Sequence, residues 1–229
     1  MSPWFSASAV APALSAEWGL SGGQAAWLTL AVQLGFVAGT LLSALGNLPD
    51  VFRTRTFCAV CAFLAAAATA AVALFAGGFR SAVALRGLTG FFLAGVYPPA
   101  MKVLATWFRR DRGAALGILI GALTFGKAVP YLVNAAGAGW RADLLAVSAL
   151  AAAGGLVLLL FLRDGPFSPA VARFDPSQAR RVFANRGVRL ASFGYFGHMW
   201  ELYAMWTWAP VMIRASLRGC GAPASLAEA

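Results

Sequence analysis

The chain has 229 residues, 60% of them hydrophobic and only 11% charged, with a mean hydropathy of +0.74. An ordinary globular domain carries about 25% charged residues, so a soluble fold is excluded. The net charge of +10 would suit a nucleic-acid partner in a soluble protein. Here the arginines fall in loops between apolar runs, with no basic face interleaved with aromatics, and nucleic acid is set aside.

A hydrocarbon core of about 30 Å needs roughly 20 helical residues, with about 17–25 as the usual range. The first apolar stretch, Pro3–Ala16, is short by that ruler and lacks the basic start of a signal peptide. It reads as the outer end of a first span whose beginning precedes this chain. Full spans follow at Ala25–Leu45, Phe57–Ala76, Val83–Ala105, Ala114–Ala135 and Ala142–Leu162.

Next comes a basic segment with six arginines from Arg163 to Arg189, broken by Pro166, Pro169 and Pro176. It is the candidate linker, and its stretch Gln178–Asn185 could form an interfacial helix. A seventh span is expected at Arg189–Ile213, then a polar tail, Arg214–Ala229. The expected organisation is therefore a helical bundle at residues 1–165, a linker at 166–188, one further helix at 189–213 and a tail at 214–229.

Loop charge sets the orientation, because cytoplasmic loops carry the excess of Lys and Arg. Arg53 and Arg55, then Arg109, Arg110 and Arg112, then the linker arginines fall on one side; the alternate loops hold only Arg80 and Arg141. Those alternate loops are expected to face outward. Trp18, Trp107 and Trp140 stand at span edges, where indole favours the headgroup level.

Several segments carry a family likeness. The loop Gly46-Asn47-Leu48-Pro49-Asp50-Val51-Phe52-Arg53-Thr54-Arg55 resembles the loop motif of the major facilitator superfamily. Gly46, Leu48, Asp50 and Arg55 match it, while Arg53 stands at the second glycine position and Val51 at the first basic one. Arg86-Gly87-Leu88-Thr89-Gly90 is similar to that family's Arg-x-x-polar-Gly element. Gly117, Gly121, Gly126 and Pro130 are similar to its glycine- and proline-rich fifth helix. Trp4-Phe5-Ser6, Leu93–Phe108 and Gly194–Trp206 are similar to segments of a bacterial branch.

The resemblance implies an all-α membrane protein: an N-terminal six-helix bundle with an incomplete first helix, plus the first helix of a C-terminal bundle. It implies a multi-pass transporter of the bacterial cytoplasmic membrane, with no cofactor and no enzymatic activity. It also implies that Arg86 faces the translocation path and takes part in proton coupling.

Glycine spacing points the same way on physical grounds. In lipid, apolar contact alone does not favour helix over tail, so close backbone packing holds helices together. Gly35-x-x-x-Gly39 and Gly117-x-x-x-Gly121 put small residues on one helix face each. The bias of a GC-rich genome, suggested by sixteen Arg against two Lys, would also raise the glycine count.

Charged residues inside spans carry the functional expectation, since each costs about 2.5–3.5 kcal/mol at mid-bilayer on insertion scales. Lys127 is the deepest cation and is expected to face a cavity or a partner. Lys102 lies near the inner end of its span, either in the path or reaching the interface. His198 and Glu201, three residues apart, share a helix face with Gly194 and Met205, which suits either a proton relay or a structural pair. Trp200, Tyr203, Trp206 and Trp208 could line a path or simply pack.

Two other signals lead nowhere. Gly121–Lys127 imitates a phosphate-binding loop, but Ala128 replaces its hydroxyl residue and no strand precedes it. Cys58 and Cys61 have metal-site spacing, yet Cys220 is remote and His198 is the sole histidine, so no metal is expected. The expected function is secondary active transport of a small solute by alternating access, with an organic anion and proton symport as the sharper form. The alternative is a truncated, non-transporting fragment, or a membrane protein that depends on the missing bundle or a second copy as partner.

Overall fold

The computed structural model describes residues 2–108, 110–167 and 183–220. The long elements among them are helices. One compact unit, Met1–Phe174, contains α1 (Ser2–Trp18), α2 (Gly22–Leu45), α3 (Leu48–Val51), α4 (Thr54–Phe75), α5 (Phe79–Leu93), α6 (Tyr97–Ala105), α7 (Arg112–Asn134) and α8 (Trp140–Phe161). A second unit, Asp175–Ala229, contains α9 (Arg186–Gly219). Expectations that fall on Arg109, Pro169, Pro176, residues 178–182, the rings of Trp206 and Trp208, and the tail from Gly221 onward lie outside the described residues and side chains.

Among the described residues, five segments are long and apolar enough to cross a membrane: α2, α4, Phe79–Ala105, α7 and α8. α1, with 17 residues, stands at the short limit of about 17 residues for a span.

Local chemistry moves several boundaries from their expected places. α2 starts at Gly22 because Ser21 and Gln24 form a capping box: the Gln24 N–H donates to Ser21 Oγ at 3.3 Å and the Ser21 N–H to Gln24 Oε1 at 2.9 Å. These bonds satisfy backbone donors that a bare helix start leaves open.

The expected single span Val83–Ala105 is two helices. Pro98 and Pro99 have no N–H to give to Ala94 and Gly95, so the helical ladder cannot cross that point. It restarts as α6 with both prolines in the first turn, where their donors are not needed. α9 is also longer than its expected span, 34 residues ending at Gly219, so the stretch after Ile213 continues as helix.

The first unit is held together by small residues. A Cβ on Gly35 would overlap the carbonyl of Gly87, one on Gly39 the carbonyl of Phe91, and one on Gly90 the carbonyl of Val32. α2 and α5 therefore touch backbone to backbone, as expected for Gly35-x-x-x-Gly39.

α4 packs an alanine-rich face, including Ala65, Ala66 and Ala73, into the centre. Two apolar clusters fill the rest: Val10, Leu14, Leu28, Val72, Trp140 and Leu144 at one end, and Trp4, Val32, Ala65 and Leu93 nearer the middle.

α7 is the contrast, since it buries only Ala115 and Pro130. Pro130 inside this helix leaves the carbonyl of Gly126 without its helical donor, and Ser2 Oγ on α1 donates to that carbonyl at 2.9 Å. Open space stands where a Cβ on Gly117 or Gly121 would lie. Their expected close packing is therefore not made within the first unit.

Candidate functional site

Arg86 is fully buried, with 0% exposure. Its Nη1 donates to Pro3 O at 2.7 Å and Ser6 Oγ at 3.0 Å, its Nη2 to Trp4 O at 2.6 Å, and its Nε to Leu28 O at 3.5 Å. The planar fork of a guanidinium suits several acceptors fixed at once. It ties α5 to the first turn of α1 and to α2. Gly87 and Gly90, which follow it in sequence, allow the helix approach that brings those acceptors into reach. In this structure the residue lies sealed inside the bundle.

Lys127 sits on the open helix α7 and is half-buried, with its Nζ 5.6 Å from the centroid of the Phe5 ring. That distance allows a cation–π contact. One position earlier, the Gly126 carbonyl holds Ser2. The first turn of α1 thus supports the α7 segment that carries Lys127 and also holds the fork of Arg86. Two cations separated by more than 40 positions in sequence meet the same short stretch, Ser2–Ser6.

Lys102 on α6 pairs with Asp50 in α3. The loop motif is a tight turn: Asn47 adopts a left-handed conformation at φ 47°, and Leu48–Val51 makes one helical turn with Pro49 at its start. Asn47 supplies the turn, and Arg53 sits beyond it at φ −58°. A Cβ on Gly46 would meet Leu48 Cδ2 at 3.0 Å, and Arg55 is exposed on the first turn of α4. Between α2, α3 and α6 lies a cavity of about 220 Å³ that Lys102 and Asp50 line with Thr40, Ser43 and Pro99.

His198 and Glu201 lie on α9, both exposed, and no hydrogen bond or ion pair among the described residues joins them. Gly194 and Met205 share their face by helical spacing. Trp200 is 81% exposed and Tyr203 is half-buried.

Cys58 and Cys61 are buried free thiols. They cushion the break between α5 and α6: a Cβ on Gly95 would overlap Cys61 Sγ, and Cys58 Sγ lies 4.0 Å from Val96 O. Among the described residues no three His, Cys, Asp or Glu side chains gather as a metal site would require.

Sequence reasoning passed over a group at the other end. Glu17 on α1 accepts from Trp140 Nε1 at 2.5 Å and from Arg141 Nη2 at 3.0 Å. Trp18 and Trp140 meet edge to face at 5.6 Å between centroids. Asp143 is buried beside them in sequence. The available signal was a carboxylate within an apolar run, which at that span's edge reads as interfacial.

No curated protein matches the chain. The family model described as Major Facilitator Superfamily matches residues 1–227. With that coverage and, among the described residues, five segments able to cross a bilayer, the chain belongs to the major facilitator superfamily and is a multi-pass membrane transporter, not an enzyme.

Proposed function

We propose that this transporter moves a small organic anion together with protons by alternating access, with Lys127 as its anion contact. The observation that carries the reading is the place of Lys127. It is a cation deep in a helix that buries only Ala115 and Pro130, and an ionisable group at that depth tends to face a cavity or a partner. Its support from the first turn of α1 suits a site that must keep its position while other helices move.

In this reading residues 1–165 form the first bundle, with 166–188 as a cytoplasmic linker and 189–213 as the first helix of the second. Substrate binds near mid-membrane, at a site opened to one side of the membrane and then to the other. Glu201 and His198, which share one face of α9 by helical spacing, carry the coupling proton. Arg86 contributes by fixing α1, and Lys102 by holding the Asp50 turn. In the same reading the arginine-rich loops face the cytoplasm of a bacterial cell, in keeping with the excess of Lys and Arg in cytoplasmic loops.

Uptake of radiolabelled organic anions into lipid vesicles under an imposed proton gradient tests the proposal. The expected result is uptake that falls at least tenfold in Lys127→Ala and loses its gradient dependence in Glu201→Gln. Anion uptake unchanged in both variants contradicts it.

A further inference from the structure

Asp143 stands near the start of α8, at the arginine-poor end of the first unit. It is 2% exposed, yet neither carboxyl oxygen has a hydrogen-bond partner. Helix α8 packs on α1, α4 and α7, and none of the ionisable groups on the matching halves of those helices reaches Asp143.

Glu17 on α1 is engaged by Trp140 and Arg141. α4 has no ionisable side chain between Ala65 and Phe75. Lys127 and Tyr131 on α7 make no hydrogen bond to the carboxyl. Arg141, on α8 itself, turns to Glu17 and lies 4.7 Å from the Trp140 ring centroid.

Trp140, Leu144 and Val147, which share this helix face by spacing, are all buried. An isolated ionised carboxylate among such neighbours is far more costly than the neutral acid. An exposure of 2% also leaves no way in for a hydrated metal ion or a solute. The ligand that needs neither a cavity nor a path of its own width is a proton.

We propose that Asp143 is a proton-binding site of the first unit, distinct from the pair on α9, that holds its carboxyl as the acid while α1 and α8 are packed together. The assignment does not depend on which solute is carried. It would make the packing of these two helices sensitive to proton binding at one residue.

Infrared spectroscopy of the purified full chain in lipid vesicles at neutral pH tests this, with ¹³C-labelled aspartate to mark aspartate carboxyls. The expected spectrum has an acid carbonyl stretch that shifts with the label, is lost completely in Asp143→Asn, and persists in Glu17→Gln. Where Asp143→Asn does not fold, Asp143→Glu decides: the acid band should lose its sensitivity to the aspartate label. A wild-type spectrum with no label-sensitive acid band overturns the proposal, as does a label-sensitive band that survives in either Asp143 variant.

Discussion

The same four-residue glycine spacing occurs on α2 and on α7, in opposite surroundings. On α2, Gly35 and Gly39 lie against the backbone of α5 so closely that a Cβ would overlap carbonyls of Gly87 and Phe91. On α7, Gly117 and Gly121 have nothing within 4 Å where a Cβ would stand. The difference lies in the opposing helix, because α5 supplies its own small residues at Gly87 and Gly90 and anchors the contact through Arg86. A glycine motif shows that a close approach is possible, and the partner decides whether it occurs.

The contrast can be broken at its tightest point first. Gly90→Ala puts a methyl group into the Val32 carbonyl, where neither backbone can yield cheaply. The expected cost exceeds the roughly 1–3 kcal/mol typical of overpacking, and should appear as loss of the monodisperse peak in detergent. Normal yield and an unchanged unfolding midpoint would show that α2 and α5 are not this close.

Arg86→Lys comes next, since an ammonium cannot reach Pro3, Trp4, Ser6 and Leu28 together. A loss of about 2–3 kcal/mol is expected, in line with hydrogen bonds to a charged group. Hydrogen exchange should rise most in α1. A smaller effect follows from Ser2→Ala, which leaves the Gly126 carbonyl unpaired beside Pro130 and should cost about 1 kcal/mol in chemical unfolding.

The smallest change sharpens the comparison from the other side. Gly117→Ala and Gly121→Ala should each leave stability within about 1 kcal/mol of the parent and shift it upward, because alanine is the better helix former. A large loss in either would mean that this face is occupied after all.

Much of the helical framework was legible from hydropathy, since lipid forces backbone bonds inside each segment and sets its length. Boundaries slipped where chemistry acts over a few residues: the Ser21–Gln24 capping box started α2 early, and Pro98-Pro99 broke one span into two helices. Tertiary reach was harder to read. Nothing local in Ser2-Pro3-Trp4-Phe5-Ser6 says that the carbonyls of Pro3 and Trp4 will hold an arginine 83 and 82 positions away.

The site was legible as a set of charged residues but not as an arrangement. Arg86 stood out as a charge in a span, yet whether it lines a path or clamps a helix depends on what surrounds it. Lys102 and Asp50 were noted separately, and only the turn at Asn47 and the break before α6 bring them together. Asp143 escaped notice because a position near a span edge suggests water, whereas the packing of α8 seals it.

The central claim is that the face of α7 carrying Lys127 borders a watery path, not lipid. Thr124 is exposed one turn before Lys127, so Thr124→Cys reports on that face while leaving the lysine in place. Cys58 and Cys61 are buried, and the exposed Cys220 is replaced by serine. The account predicts that a charged, membrane-impermeant maleimide labels Cys at position 124 in intact vesicles. Labelling by a lipid-soluble maleimide alone would contradict it.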